Sequence, residues 1–431
     1  MLRVLKYGTK AAEERLEKIA RRSLIFDKEH IDKVSSILTA VKEQGDRALS
    51  HFTKRFDGVA IKQFKVQKQE LDTALKRIDK KFVDVLLEAV DNVRRYHERQ
   101  KQNSWFIHEP DGTMLGQRIL PFEKVGLYVP GGTAAYPSTV IMNAVPAQVA
   151  GVTEISVVTP PQKNGMPHPL ILATCRLLGI EDVFSVGGAQ AIAALAYGTE
   201  SVPRVDKIVG PGNLYVAIAK KLVYGDVAVD MIAGPSEVVI IADETADSGE
   251  LAADLLAQAE HDINAASILI TTDSGLARKV SKELSRLLTK ISRKAIAEQS
   301  LMKNGVIFVV SSPSEAAAIV NEIAPEHLEI VTEKNWDILT KIRNAGAVFL
   351  GRYTPEPIGD YFAGPSHVLP TGGTARFSSV LNVDDFMKKS SVIHYSREKF
   401  FQNAWKVETF AKNEGLTAHA MSIKIRKERG R

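Results

Sequence analysis

The 431-residue chain has a single cysteine, Cys175, which excludes an intrachain disulfide and any Cys-x-x-Cys zinc site. Cys175 lies in the apolar run LILATCRLLG, where a buried structural thiol is expected rather than a nucleophile. No uninterrupted apolar run approaches the roughly 18 residues needed to span a bilayer. The opening residues, MLRVLKYGTKAAEERLEK, lack the apolar core of a signal peptide. A cytoplasmic protein with no membrane association is therefore expected. The dinucleotide fingerprint G-x-G-x-x-G is missing as well, since Gly210-Pro211-Gly212-Asn213-Leu214-Tyr215 fails at the third glycine, and no Walker A sequence occurs. Any bound nucleotide is held in some other way. Nor is there a strong charge of one sign: 56 basic residues face 51 acidic ones, for a net charge of +5. That balance does not indicate a nucleic-acid partner. The basic tail IKIRKERGR could touch phosphates but reads more readily as a solvated end.

What is present is enough for two or three globular domains, with 45% hydrophobic and 25% charged residues. Residues 1 to about 110 read as charged and helical, and Phe82, Leu86, Val90 and Val93 keep one stripe. From Glu154 to Asp243 short β-branched runs (ISVVTP, DVFSVGG, KIVGPG, EVVIIAD) alternate with helix-like segments. The rhythm restarts with SILITT, GVIFVV, LEIVT and AVFLG. Strands buried on both faces and separated by helices predict a parallel, doubly wound α/β sheet, here in two successive halves. The last 50 residues have too little apolar content for a core of their own and are expected to pack on another domain or subunit.

Several residues could carry chemistry. ETADSGELAADLLAQAEHDIN, residues 244–264, has apolar residues at helical spacing, and Gln258 and His261 stand at i and i+3, able to converge on a divalent cation. Alternatively they form an ordinary polar helix end, with the imidazole complementing the dipole. Glycine turns in VGLYVPGG, SVGGAQ, IVGPGN, IAGPSE and YFAGPSH fall where strands should end, the position where parallel sheets bind ligands. Each taken singly reads as a tight turn. Glu326 and His327, between a helix and the strand LEIVT and expected at a sheet edge, offer two proton acceptors of different strength or, equally, a polar helix end. Asp360 and His419 are further candidate metal ligands. With Gln258 and His261 they would make a set suited to Zn²⁺, although their wide separation makes the spacing weak evidence.

Together and in order, VGLYVPGG, SVGGAQAIAALAYGT, KIVGPGNLYVAIAK, DMIAGPSEVVIIAD, DLLAQAEHD, APEHLE, GDYFAGPSHVLPTGGTARFSS and EGLTAHAMSI resemble the histidinol dehydrogenase family over nearly the whole chain. The resemblance implies two Rossmann-like α/β domains with small helical N- and C-terminal segments. Their expected division is 1–24 for the N-terminal segment, 25–127 with 237–380 for the first domain, 128–236 for the second, NAD-binding domain, and 381–431 for dimerisation. It implies a four-electron oxidation of L-histidinol through L-histidinal to L-histidine with two NAD⁺, in histidine biosynthesis. By the same resemblance Gln258, His261, Asp360 and His419 hold one Zn²⁺ per subunit and contact substrate together with Ser236, His327 and Glu414. Tyr128, Gln190 and Asn213 line the NAD site. His327 is the implied base for alcohol oxidation, expected neutral near its ordinary pKa of about 6.5, and Glu326 the base that hydrates the aldehyde. Family members are homodimers in which the C-terminal segment, with Glu414 and His419, completes the neighbour's site. Rival readings are another zinc- and NAD-dependent alcohol dehydrogenase on the same fold, which would alter Ser236, His327 or Glu414, and a non-catalytic binding protein that uses its basic tail on nucleic acid.

Overall fold

The computed structural model describes residues 2–22, 27–131, 135–232 and 234–430. They divide into two compact units, residues 1–100 with 122–386 and residues 101–121 with 387–431. Gly132 of the VPGG turn and Ala233 of the IAGPSE turn lie outside the described residues.

In chain order the strands are β1 (Arg3–Lys6), β2 (Trp105–His108), β3 (Met114–Pro121), β4 (Lys124–Tyr128), β5 (Glu154–Thr159), β6 (Asp182–Ser185) and β7 (Lys207–Val209). They continue with β8 (Ala228–Val229), β9 (Glu237–Ala242), β10 (Ala266–Thr271), β11 (Val306–Val309), β12 (His327–Val331), β13 (Ala347–Leu350) and β14 (Met387–His394).

The first unit holds two sheets with only parallel pairings, ordered β1-β11-β10-β9-β12-β13 and β6-β5-β4-β7-β8. Setting β1 aside, both wind identically. Three strands run outward in sequence, then the chain crosses back and adds two on the other side. This is the doubly wound α/β architecture expected from the alternation of apolar runs. EVVIIA in β9 and ASILIT in β10 are buried at all six positions, because helices cover both faces and leave no polar side to alternate with. One face packs Val239, Ile241, Ile268, Leu328 and Ile330 into a common core. The other packs Val238, Ile240 and Leu269 against Leu251, Leu255 and Leu256 of the helix Ser248–Ala259. In the helix Lys80–Glu98 the expected stripe is buried at Leu86, Val90 and Val93.

Two features depart from the sequence reading. β1, in the segment expected to be helical, pairs with β11 and extends the sheet by one edge strand. Its four residues are mostly exposed, so they carry no strand-like alternation to read. In the second unit the C-terminal segment is not solely helical. β14 pairs antiparallel along its whole length with β3, which also pairs with β2, and the helices Arg397–Asn413 and Thr417–Arg429 follow. MKKSSVIH has only a weak apolar pattern, and its partner lies far upstream in the chain, so nothing local announces the pairing.

Candidate active site

The reactive centre is built at the amino end of β12, an interior strand between β9 and β13. It is not at the sheet edge anticipated for Glu326 and His327. Alternation along β12 sends Leu328 and Ile330 into the core on one face. His327 and Glu329, in register with Val238 and Ile240, face the side covered by the helix Ser248–Ala259. Glu326, His327 and Glu329 are all buried. The short helix Glu356–Tyr361 then adds two carboxylates at i and i+4, which share one face. His327 Nδ1 lies 3.7 Å from Glu356 Oε1 and 3.8 Å from Glu326 Oε2, and its Nε2 lies 3.7 Å from Asp360 Oδ1. Among the described residues, His327, Glu356 and Asp360 form a group whose ligand atoms lie within 4.8 Å of one another. No motif in the sequence marks Glu356. Its four-residue spacing from Asp360 after Pro355 was the only available signal.

Electrostatics at this centre are set by burial and by the crowd of carboxylates. Burial works to lower the His327 pKa, but Glu356, Glu326 and Asp360 outweigh it and push it up to about 10. The expectation of a ring near its ordinary value is therefore corrected: three acids within reach favour the imidazolium. Burial pushes Glu356 up to about 7 and also raises Glu326, against the pull of His327 and a hydrogen bond from Ser236. Burial raises Asp360 too, but the His327 contact, with His367 and His261, holds it below the usual carboxylate range. His367 Nδ1 lies 3.1 Å from the Asp360 carbonyl oxygen.

Gln258 lies on the helix that covers this face of the sheet. The helix that carries it starts at Asp247, whose carboxylate accepts from the Gly249 and Glu250 amides at 2.8 and 3.0 Å, and ends at Ala259. The Gln258 side chain is fully buried, yet neither its Oε1 nor its Nε2 has a hydrogen-bond partner. Leaving an amide so costs about 1–3 kcal/mol per atom, which a simple polar helix end does not explain. His261 follows in the next turn, its backbone amide donating to the Gln258 carbonyl. It is solvent-exposed by area, but packing around the ring lowers its pKa and it senses both Asp360 and His327. The unpaired amide, the imidazole and the Asp360 carboxylate are a donor set that fits a zinc ion.

A second group of predicted residues gathers at the carboxyl rim of the other sheet. Tyr128 ends β4, and its hydroxyl accepts from the Gly188 amide at 3.1 Å. Gln190, in the first turn of the helix Gly188–Tyr197, is buried with Oε1 unpaired. Asn213 caps the helix Leu214–Val223 through Val216 at 3.2 Å. β4 and β7 flank the point where the winding reverses, the usual place for a dinucleotide. The turn after β7 requires glycine: Gly210 has φ +113°, and a Cβ there would lie 2.2 Å from the Tyr128 carbonyl oxygen. Lys220 fastens this turn, donating to the Gly210 carbonyl at 2.9 Å and pairing with buried Asp230. A cavity of about 130 Å³ lined by Gly210, Gly212, Ser236 and Glu326 joins the two groups.

Glu414 and His419 belong to the second unit, both exposed, at and just after the turn between its two helices.

Two doubly wound parallel sheets, with a buried acid–imidazole centre and a glycine-lined rim joined by one cavity, define an α/β enzyme of the dehydrogenase type. The histidinol dehydrogenase family model matches residues 20–427. The chain is 52% identical to the histidinol dehydrogenase of Bacillus subtilis over 99% of each chain. It is 53% identical to that of Aquifex aeolicus over 96% of each. The crystal structure of histidinol dehydrogenase from Elizabethkingia anophelis superposes with a TM-score of 0.93 at 35% identity, covering 99% of this chain and 98% of that one. The chain belongs to the histidinol dehydrogenase family.

Proposed function

We propose that the buried centre around His327 carries out the oxidation of histidinol to histidine, with NAD⁺ accepting hydride twice. The observation that carries this reading is the Glu326–His327 pair enclosed with Asp360, in a chain that matches its family model over residues 20–427. Gln258, His261 and Asp360, with His419 of a second copy, hold one zinc ion per subunit. Zinc, when bound, would anchor the substrate's imidazole and amine nitrogens and offset the carboxylate charge that raises the His327 pKa. Ser236 and Glu414 add substrate contacts, and Tyr128, Gln190 and Asn213 line the cofactor site.

In the first oxidation His327, in its neutral form, removes the hydroxyl proton as hydride departs to NAD⁺. The aldehyde must then gain a water molecule before a second hydride can leave. Glu326, whose pKa burial raises, takes that water's proton. Glu356, on the Nδ1 side of His327, orients the ring. No thiol is required, in keeping with burial of Cys175.

Glu414 and His419 act in the neighbouring subunit's site. The second unit exposes Trp105, Phe106, Ile107, Trp405, Phe410 and Met421, an apolar surface a homodimer would cover. No helix among the described residues is long and apolar enough to cross a membrane, and we place this biosynthetic enzyme in the cytoplasm. The deciding experiment is metal analysis combined with NADH production: two NADH per histidinol, lost on exhaustive chelation and restored by zinc, is expected. Full activity in zinc-free protein would overturn the metal assignment.

A further inference from the structure

We propose that Asp57 binds the adenosine ribose of the cofactor and sets the preference for NAD over its 2′-phosphorylated form. This rests on the reading that the carboxyl rim of the β6-β5-β4-β7-β8 sheet takes the dinucleotide. In that fold an acidic residue past the end of the second strand accepts from the ribose hydroxyls. The second strand here is β5, and it runs out into Pro160-Pro161-Gln162-Lys163, with no acid.

A carboxylate reaches the same place from elsewhere. The helix Asp46–Phe56 ends at Asp57, which lines a cavity of about 280 Å³ with Gly131, Pro160, Pro161, Gln162, Lys163, His168 and Ile171. The loops after β4, β5 and β6 converge there. A Cβ on Gly131 would lie 3.2 Å from Pro160, and one on Gly187 2.4 Å from it. Two prolines and an isoleucine give an apolar wall for a base, beside a carboxylate for a sugar.

Nothing in the fold rewards Asp57 for being there. Its Oδ2 is buried without a hydrogen-bond partner, although such a group ordinarily finds one. It stands at a helix C-terminus, where the dipole disfavours negative charge. Burial raises its pKa to about 6, and the cavity it shares with Gly131 and Pro160 puts it at the ends of β4 and β5. An unpaired acceptor in a cleft with apolar walls suits a vicinal diol, and its carboxylate opposes the 2′-phosphate that Lys163, on the same cavity, would by itself attract.

The test measures binding of NADH, NADPH and reduced nicotinamide mononucleotide, by fluorescence titration, to wild type and to Asp57→Asn and Gln190→Ala variants. Thermal melts would verify that each is folded. Asp57→Asn should weaken NADH binding about tenfold, leave the mononucleotide unchanged because it lacks adenosine, and narrow the gap between NADH and NADPH. Unchanged NADH affinity in Asp57→Asn, with both NADH and mononucleotide weakened in Gln190→Ala, would overturn the Asp57 assignment and leave the cofactor site standing. Equal weakening of the mononucleotide in Asp57→Asn would also overturn it. If Gln190→Ala weakens neither ligand, the cofactor site itself is misplaced and the Asp57 proposal falls with it.

Discussion

Glu326 and His327 are neighbours in sequence but differ in their surroundings, and on the proposed mechanism they serve two different proton transfers. Glu326→Gln should reduce complete turnover by about 10²–10⁴-fold, as loss of a general base does, while supporting a first hydride transfer that single-turnover NADH absorbance can detect. Loss of that first transfer, with oxidation of supplied aldehyde intact, would reverse the two roles. Cys175 is the contrasting case. It is fully buried, and burial raises its thiol pKa to about 12, so it should resist alkylation at pH 8 until the protein unfolds. Cys175→Ala should retain activity at a stability cost of about 1 kcal/mol, readable in a thermal melt. Glu237 gives a pH effect on stability. Burial, then the nearby Glu326 charge, raise it to about 8 in the folded protein, against an ordinary carboxylate value in the unfolded chain. The unfolded state alone ionises as pH rises through about 4.5, so Glu237 lowers stability progressively up to about pH 8, and the effect then levels off. The melting temperature of Glu237→Gln relative to wild type should rise over that interval, and a constant difference would contradict the assignment.

At the scale of elements, the helix Ser248–Ala259 shows how a secondary structure carries both stability and chemistry. Leu251, Leu255 and Leu256 bury its apolar face, and that packing delivers Gln258 to the centre with its amide unpaired. Gln258→Leu should fold, because it removes two unsatisfied polar atoms at similar volume, and should match or exceed wild-type stability in the metal-free protein. Its zinc retention on dialysis should fall sharply. A variant that keeps zinc as wild type does would remove Gln258 from the ligand set. The periodicity of this helix was legible in the sequence, and so was the β12 strand. The meaning of Gln258 was not, because a polar i, i+3 pair at a helix end is ordinary until its amide is seen to be buried without a partner.

For the whole molecule, the second unit carries Glu414 and His419 on exposed elements, which is what residues that serve a neighbouring copy require. Mixing Glu326→Gln and His419→Ala chains, each inactive alone, should restore roughly a quarter of wild-type activity, since random pairing yields half heterodimers with one intact site each. No recovery, with heterodimers demonstrated by mass, would argue that each subunit completes its own site.

Hydrophobic rhythm and turn residues determined the two parallel, doubly wound halves, because strands covered on both faces must be continuously apolar and the intervening helices amphipathic or small. Motif order over the whole chain determined the family. Tertiary structure alone decided that His327 is ringed by Glu326, Glu356 and Asp360 and so lies far above its ordinary pKa. It also brought Asp57 to the end of β5 and made β14 the partner of β3. Each of these depends on contacts between residues distant in sequence, and a local pattern records which residues a segment must bury but not which charges or strands it will meet.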